Sequence, residues 1–118
     1  MKDVVKIMQV LSDGNRLRVL KLLECRCMCV CELAAVIDIA QPSVSRHLKK
    51  LKAAGLISAK QAGFWTDYSL CCPGAGAFAG TVVKKILAAL DDEPVIRNDR
   101  SRAAKIDRAR MCCTQGRK

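Results

Sequence analysis

The chain has 118 residues and is 51% hydrophobic, which predicts one folded domain and excludes a disordered or collagen-like chain. Its longest uncharged stretch, 68–83, contains glycines and a proline and is shorter than the about 20 apolar residues of a membrane helix, so we expect a cytoplasmic protein with no membrane partner. The formal net charge of +10 favours a polyanionic partner, most commonly nucleic acid.

Four helices are predicted in the first half of the chain from apolar residues at helical spacing. Their stripes are, in order, Val4, Val5, Met8 and Leu11; Leu17, Leu20 and Leu23; Leu33, Val36 and Ile37; and Val44, Leu48 and Leu51. Gln41-Pro42 opens the fourth helix, because proline suits the first helical position. Gly55 follows the end of this helix as a C-cap residue.

A hairpin and a last core helix follow. The segments 57–61 and 66–70 are strand-like and joined by a short turn, and the last helix spans roughly 77–90. Its apolar arc is wider than one core contact needs, so we expect this helix and the first to form a subunit interface. The predicted fold is mainly α with a β-hairpin wing (α+β), a homodimeric winged helix-turn-helix.

The chain divides into two expected parts. Residues 1–91 are predicted to form the domain that binds DNA and dimerises. Residues 92–118 are expected to be an appended tail, because eight basic but only two acidic residues follow from Arg97 onward and the segment has a thin apolar face. This tail contains two adjacent cysteines.

The fourth helix is the predicted DNA-reading element, because two short helices, a turn, a basic helix and a hairpin occur in the order of a winged helix-turn-helix. Four aromatic residues are too few to form a stacking platform for single strands, so the expected partner is double-stranded DNA. The predicted contacts are Gln41, Ser43, Ser45, Arg46, Lys49 and Lys50 on the helix and Lys60 on the wing. His47 and Trp65 are expected to be packing residues.

Eight cysteines suggest thiol chemistry, since clustered cysteines in a cytosolic chain indicate metal binding or redox chemistry rather than disulfides. They are Cys25, Cys27, Cys29, Cys31, Cys71, Cys72, Cys112 and Cys113. On a continuous helix, residues two apart point about 200° apart, whereas alternate residues of an extended chain share a face. We therefore expect that an ion bound to both Cys29 and Cys31 stretches or unwinds the chain leading into the third helix, and that the strain passes to the fourth helix beside it.

Three segments resemble, in order, the ArsR/SmtB family of metal-sensing repressors, and most closely its arsenic-responsive branch. They are Cys29-Val30-Cys31-Glu32-Leu33, Gln41-Pro42-Ser43-Val44-Ser45-Arg46-His47-Leu48 and Gly63-Phe64-Trp65, within a resemblance that covers residues 2–90. The resemblance implies a homodimeric repressor that binds a palindromic operator without a cofactor. It also implies release from DNA when arsenite or antimonite binds cysteine thiolates.

The arsenic-responsive pattern is Cys-Val-Cys-[Asp/Glu]-Leu-Cys, in which Cys29 and Cys31 match the first two cysteines and Ala34 stands at the third. The resemblance implies three thiolates for arsenite, so a third has to come from elsewhere. The candidates, in order, are Cys27, then Cys112 or Cys113, then Cys25. The pair Cys112–Cys113 either chelates a thiophilic centre of its own or has no role. One of Cys71 and Cys72 is expected in the core.

Two alternatives keep this fold and change the signal. One is a cadmium- or lead-responsive repressor, and the other is a repressor released by a reversible disulfide. An enzyme such as a thiol oxidoreductase or an arsenate reductase is not expected, because the sequence has neither a Cys-x-x-Cys motif in a βαβ setting nor a phosphate-binding glycine loop.

Overall fold

A computed structural model describes residues 1–70 and 76–106, and these residues form six helices and one two-stranded antiparallel sheet. The elements are α1 (Lys2–Leu11), α2 (Gly14–Cys25), α3 (Val30–Ile37), α4 (Gln41–Ala53), β1 (Ile57–Ala62), β2 (Trp65–Leu70), α5 (Gly76–Ala89) and α6 (Pro94–Ala104). The predicted order of helices and hairpin is confirmed. In the part of the chain described, no helix combines the length and the apolar character needed to cross a membrane.

The helix ends follow local signals. The Asp13 carboxylate caps α2 by accepting from the backbone N–H groups of Asn15 and Arg16, at 2.8 and 3.1 Å. Asp38 ends α3 in the left-handed conformation, with φ 66°. Gly55 adopts φ 79° directly after α4, as its position predicted.

The predicted first helix is confirmed, and its apolar residues divide between two faces. The structure buries Ile7, Val10 and Leu11 in the core and leaves Val4, Val5 and Met8 exposed. Helix α1 carries apolar residues on two faces, and helical periodicity alone does not show which face packs on the body. The exposed apolar face of α1 is therefore available for contact with another protein surface.

The hairpin runs from the pair Ile57–Leu70 to the pair Ala62–Trp65, across a turn in which Gly63 has φ 67°. The segment between α2 and α3 joins this sheet through a single bridge. Met28 N–H donates to the Tyr68 carbonyl at 3.1 Å, and Tyr68 N–H donates to the Met28 carbonyl at 2.9 Å. The cysteine-rich segment is thus bonded to the wing strand β2.

The expectation of an appended arm does not hold for the described part of 92–118, because α6 packs on α2 and α3. Asp99 is 1% exposed, and its carboxylate accepts from Nε and Nη2 of Arg18 in α2, both at 2.8 Å. Arg102 Nη2 donates to the Ala35 carbonyl of α3 at 2.8 Å. Charged side chains of this segment therefore hold α6 against the body of the domain. Cys112 and Cys113 lie outside the described residues.

Candidate functional site: a basic helix, a wing and a thiol pair

Helix α4 has one buried face and one basic, exposed face. Val44, Leu48 and Leu51 are buried in the core, as predicted. The predicted DNA-contacting side chains of this helix that are exposed are Gln41, Ser45, Arg46, Lys49 and Lys50, and Ser43 is half-buried. The exposed face of α4 therefore presents donors in the pattern that a major-groove reader needs.

Arg46 is held along the helix by a neighbouring hydroxyl. Its Nη2 donates to Ser43 Oγ at 3.1 Å, one turn earlier in α4. The contact restricts the rotamers of a long side chain before it meets a ligand. Less side-chain entropy would then be lost when the guanidinium binds.

His47 is half-buried and faces α2, where Nη1 of Arg16 lies 3.4 Å from its Nδ1. Arg16 is itself buried and donates from Nε to the Val10 carbonyl at 2.6 Å. A guanidinium can only donate, so a hydrogen bond at this contact is one in which Nδ1 of His47 accepts. Burial lowers the pKa of His47, with Arg16, Lys50 and Arg46 adding to the effect and the charge of Asp13 opposing it.

The wing exposes one basic side chain and one large apolar one. Lys60 lies exposed on β1 opposite Asp67, and Phe64 at the turn is 80% exposed. Gln61 is engaged at the tip, since its Nε2 donates to the Gly63 carbonyl at 2.9 Å and its Oε1 accepts from Thr66 at 3.1 Å. Lys60 is therefore the basic wing residue presented towards solvent.

Cys29 and Cys31 converge at the start of α3. Their sulfurs lie 3.1 Å apart, and the residues are 3% and 7% exposed. Cys29 is the N-cap, with φ −95° and ψ 173°, and only Cys31 lies within the helix. The N-cap is already extended, so the two sulfurs do not diverge by the roughly 200° of a continuous helix. The expectation that binding must stretch or unwind the chain leading into α3 therefore loses its geometric reason.

A buried carboxylate fixes the backbone of Cys29. Oε1 of Glu32 accepts from Cys29 N–H at 3.0 Å, and Oε2 accepts from Nη1 of Arg26 at 3.0 Å. Nη2 of Arg26 also donates to the Ala103 carbonyl in α6 at 3.2 Å. Glu32 was not predicted as a site residue, although its position three residues after an N-cap is the signal of a capping box.

The remaining cysteines do not join this pair within the described residues. Cys25 and Cys27 are exposed, and no group of three potential metal ligands occurs within 1–70 and 76–106. Cys25 ends α2, and of the four cysteines in this segment only Cys29 and Cys31 are buried, so the structure does not bring all four together. Cys71 and Cys72 lie outside the described residues.

Trp65 covers the thiol pair from the wing. The half-buried indole, at the first position of β2, packs against Cys29 and Cys31. Its predicted packing role is confirmed. The two sulfurs thus lie between the first turn of α3 and the beginning of a wing strand.

Comparisons with known proteins agree with this architecture. Residues 13–59 match the family described as bacterial regulatory protein, arsR family. The arsenical resistance operon repressor of Escherichia coli is 35% identical over 80 residues, which cover 67% of this chain and 68% of that protein. A cadmium resistance transcriptional regulatory protein homolog of Staphylococcus aureus is 33% identical over 69 residues, or 58% of this chain and 57% of that one.

A solved structure supports the fold independently. A homodimeric winged helix-turn-helix DNA-binding domain from Mycobacterium bovis superposes with a TM-score of 0.64 at 24% identity, covering 79% of this chain and 82% of that one. This likeness confirms the winged helix-turn-helix arrangement of α3, α4 and the hairpin. The chain therefore belongs to the ArsR/SmtB family, as its motifs predicted, and it is a transcriptional repressor, not an enzyme.

Proposed function

We propose that this repressor binds operator DNA as a homodimer in the cytoplasm and is released when arsenite or antimonite binds the thiol pair. The observation that carries the proposal is the 3.1 Å separation of the Cys29 and Cys31 sulfurs at the start of α3. Thiolates select soft ions, and two sulfurs that already converge lose little freedom when one atom binds both. The arsenical resistance repressor of Escherichia coli points to the same inducer.

A third thiolate completes the proposed site. Cys27 remains the first candidate, because it lies two residues before Cys29 and is exposed in the segment that connects α2 to α3. Cys112 and Cys113 come next, and Cys25 last. Replacing each by serine and measuring arsenite affinity would assign the third ligand.

The proposed dimer uses surfaces that the monomer leaves apolar. Val4, Val5 and Met8 of α1 and Phe78 of α5 are exposed, and exposed apolar patches commonly mark protein interfaces. The related domain from Mycobacterium bovis is described as homodimeric. Two α4 helices related by a two-fold axis would suit a palindromic operator.

Arsenite titration of the full-length protein on DNA tests the proposal. The probe is a duplex selected from random sequence by the arsenite-free protein, called here the selected duplex. We expect arsenite under strong reductant to weaken binding about 5- to 150-fold, the usual range of coupling between two sites. Because Trp65 is the only tryptophan and packs on the sulfurs, its fluorescence should change at the same arsenite concentration.

The same titration separates the alternatives. A cadmium- or lead-responsive repressor would release DNA at lower concentrations of those ions than of arsenite. A redox-responsive repressor would ignore arsenite under reductant and respond only to an oxidant. Either result would contradict arsenite as the inducer while leaving the repressor fold intact.

Arg46 is predicted to read a base. Replacing Arg46 by alanine should weaken binding to the selected duplex by about 1–3 kcal/mol and relax the preference at one base pair. Replacing Lys49 by alanine, as the matched control on the same helix, should weaken all duplexes alike and lower the salt dependence. A loss of only a few tenths of a kcal/mol for Arg46→Ala would assign base reading to another residue.

A further inference from the structure

The thiol pair is connected to the wing by side-chain packing and by backbone hydrogen bonds. We propose that Trp65 is a positioning residue through which an ion on Cys29 and Cys31 displaces the wing, so that release from DNA includes separation of Lys60 from the phosphate backbone. This inference rests on the proposed function, since it takes arsenite as the ligand. It adds a second path to the one through α3 and α4 expected from the sequence.

The first connection is through side chains. The indole of Trp65 packs against both cysteines, and Trp65 pairs with Ala62 at the base of the hairpin turn. A movement of the indole therefore acts on the two residues that close the wing. Lys60 lies two positions before Ala62 on the same strand.

The second connection is through the backbone. Met28, the residue before Cys29, is fully buried and exchanges two hydrogen bonds with Tyr68 of β2. Tyr68 in turn pairs with Ala59, the neighbour of Lys60. The segment that carries the sulfurs is thus bonded to β2 three residues from the indole that covers them.

The packing around the two sulfurs determines which neighbouring residue a bound ion would displace. An atom bonded to both sulfurs adds volume to a space already occupied, and close-packed interiors do not absorb added volume without moving a neighbour. Met28 and Leu33, which are close to these cysteines in the chain, belong to the main core and are 0% exposed. The half-buried Trp65 is the neighbour that can move towards solvent, and the start of β2 moves with it.

The salt dependence of DNA binding tests this displacement. The slope of log K against log salt becomes shallower by about 0.9 for each phosphate that the protein no longer neutralises. We expect arsenite to reduce the slope of the full-length protein on the selected duplex by about that amount for each wing released. Lys60→Ala should begin with the shallower slope, and arsenite should cause no further decrease.

A matched control and a second variant make the test specific. Lys49→Ala also begins with a shallower slope, but arsenite should reduce it further, because Lys60 is still present on its wing. Trp65→Leu, or Trp65→Phe if the leucine variant does not fold, should still bind arsenite in equilibrium dialysis. The weakening of DNA binding by arsenite should be clearly smaller in this variant than in the unmodified protein.

Three outcomes decide between the possibilities. Equal arsenite-induced changes of slope in Lys60→Ala and in the unmodified protein would overturn the role of the wing. A full arsenite-induced weakening of DNA binding in both Trp65 variants would overturn the role of Trp65. If arsenite leaves the unmodified protein on DNA, the proposed function itself fails, and this inference fails with it.

Discussion

Replacing Cys29 by serine is expected to leave DNA binding unchanged and to remove the response to arsenite. The sulfur at this position is one of the two that converge at 3.1 Å, and a hydroxyl is a poor ligand for a soft ion. Serine is also a preferred N-cap residue, so this substitution should preserve or strengthen the start of α3. Loss of induction would therefore not come from loss of the fold.

The measurement compares arsenite titrations of the variant and the unmodified protein on the selected duplex. The expected 5- to 150-fold weakening should shrink to no measurable effect for Cys29→Ser and for Cys31→Ser. Cys25→Ser is the matched control, because Cys25 lies in the same segment but is exposed at the end of α2. Normal induction of Cys29→Ser would place the inducer site on another group of cysteines.

Replacing Asp99 by asparagine is expected to destabilise the protein by about 3 kcal/mol, the lower end of the range for breaking a buried ion pair. Asp99 is 1% exposed and binds Arg18 through both oxygens, whereas Arg18 is 21% exposed and keeps some contact with water. The asparagine has the same shape but no charge, so the Arg18 guanidinium would remain largely desolvated without its counter-ion.

Urea unfolding at neutral pH measures this effect, with the Asp92–Arg97 pair as the reference. Asp92 is 97% exposed, so Asp92→Asn should change the free energy of unfolding by less than about 0.5 kcal/mol. The double variant Arg18→Met with Asp99→Leu should recover much of the loss, since it buries no charge. If Asp99→Asn were as stable as Asp92→Asn, the docking of α6 would not depend on this pair.

The thiol site shows where prediction from sequence succeeded and where it stopped. The cysteine spacing and the family resemblance predicted a site at Cys29 and Cys31, which stays a prediction, and the periodicity of α4 predicted its exposed basic face, which the structure shows. The sequence did not predict where α3 begins, and this boundary decides whether the two sulfurs converge. That boundary lies at Val30, after an extended N-cap that Glu32 holds through a hydrogen bond.

The amino-acid sequence by itself determined the first five helices, the hairpin, the basic face of α4 and the turn of the wing, because periodicity, Pro42, Gly55 and Gly63 act over a few residues. Only the tertiary structure decided which face of α1 is buried, that α6 docks through Asp99, and that the thiol pair lies against Trp65. These features depend on contacts between residues far apart in the chain. Local periodicity carries no information about such partners, whereas burial and charge pairing in the folded chain select them.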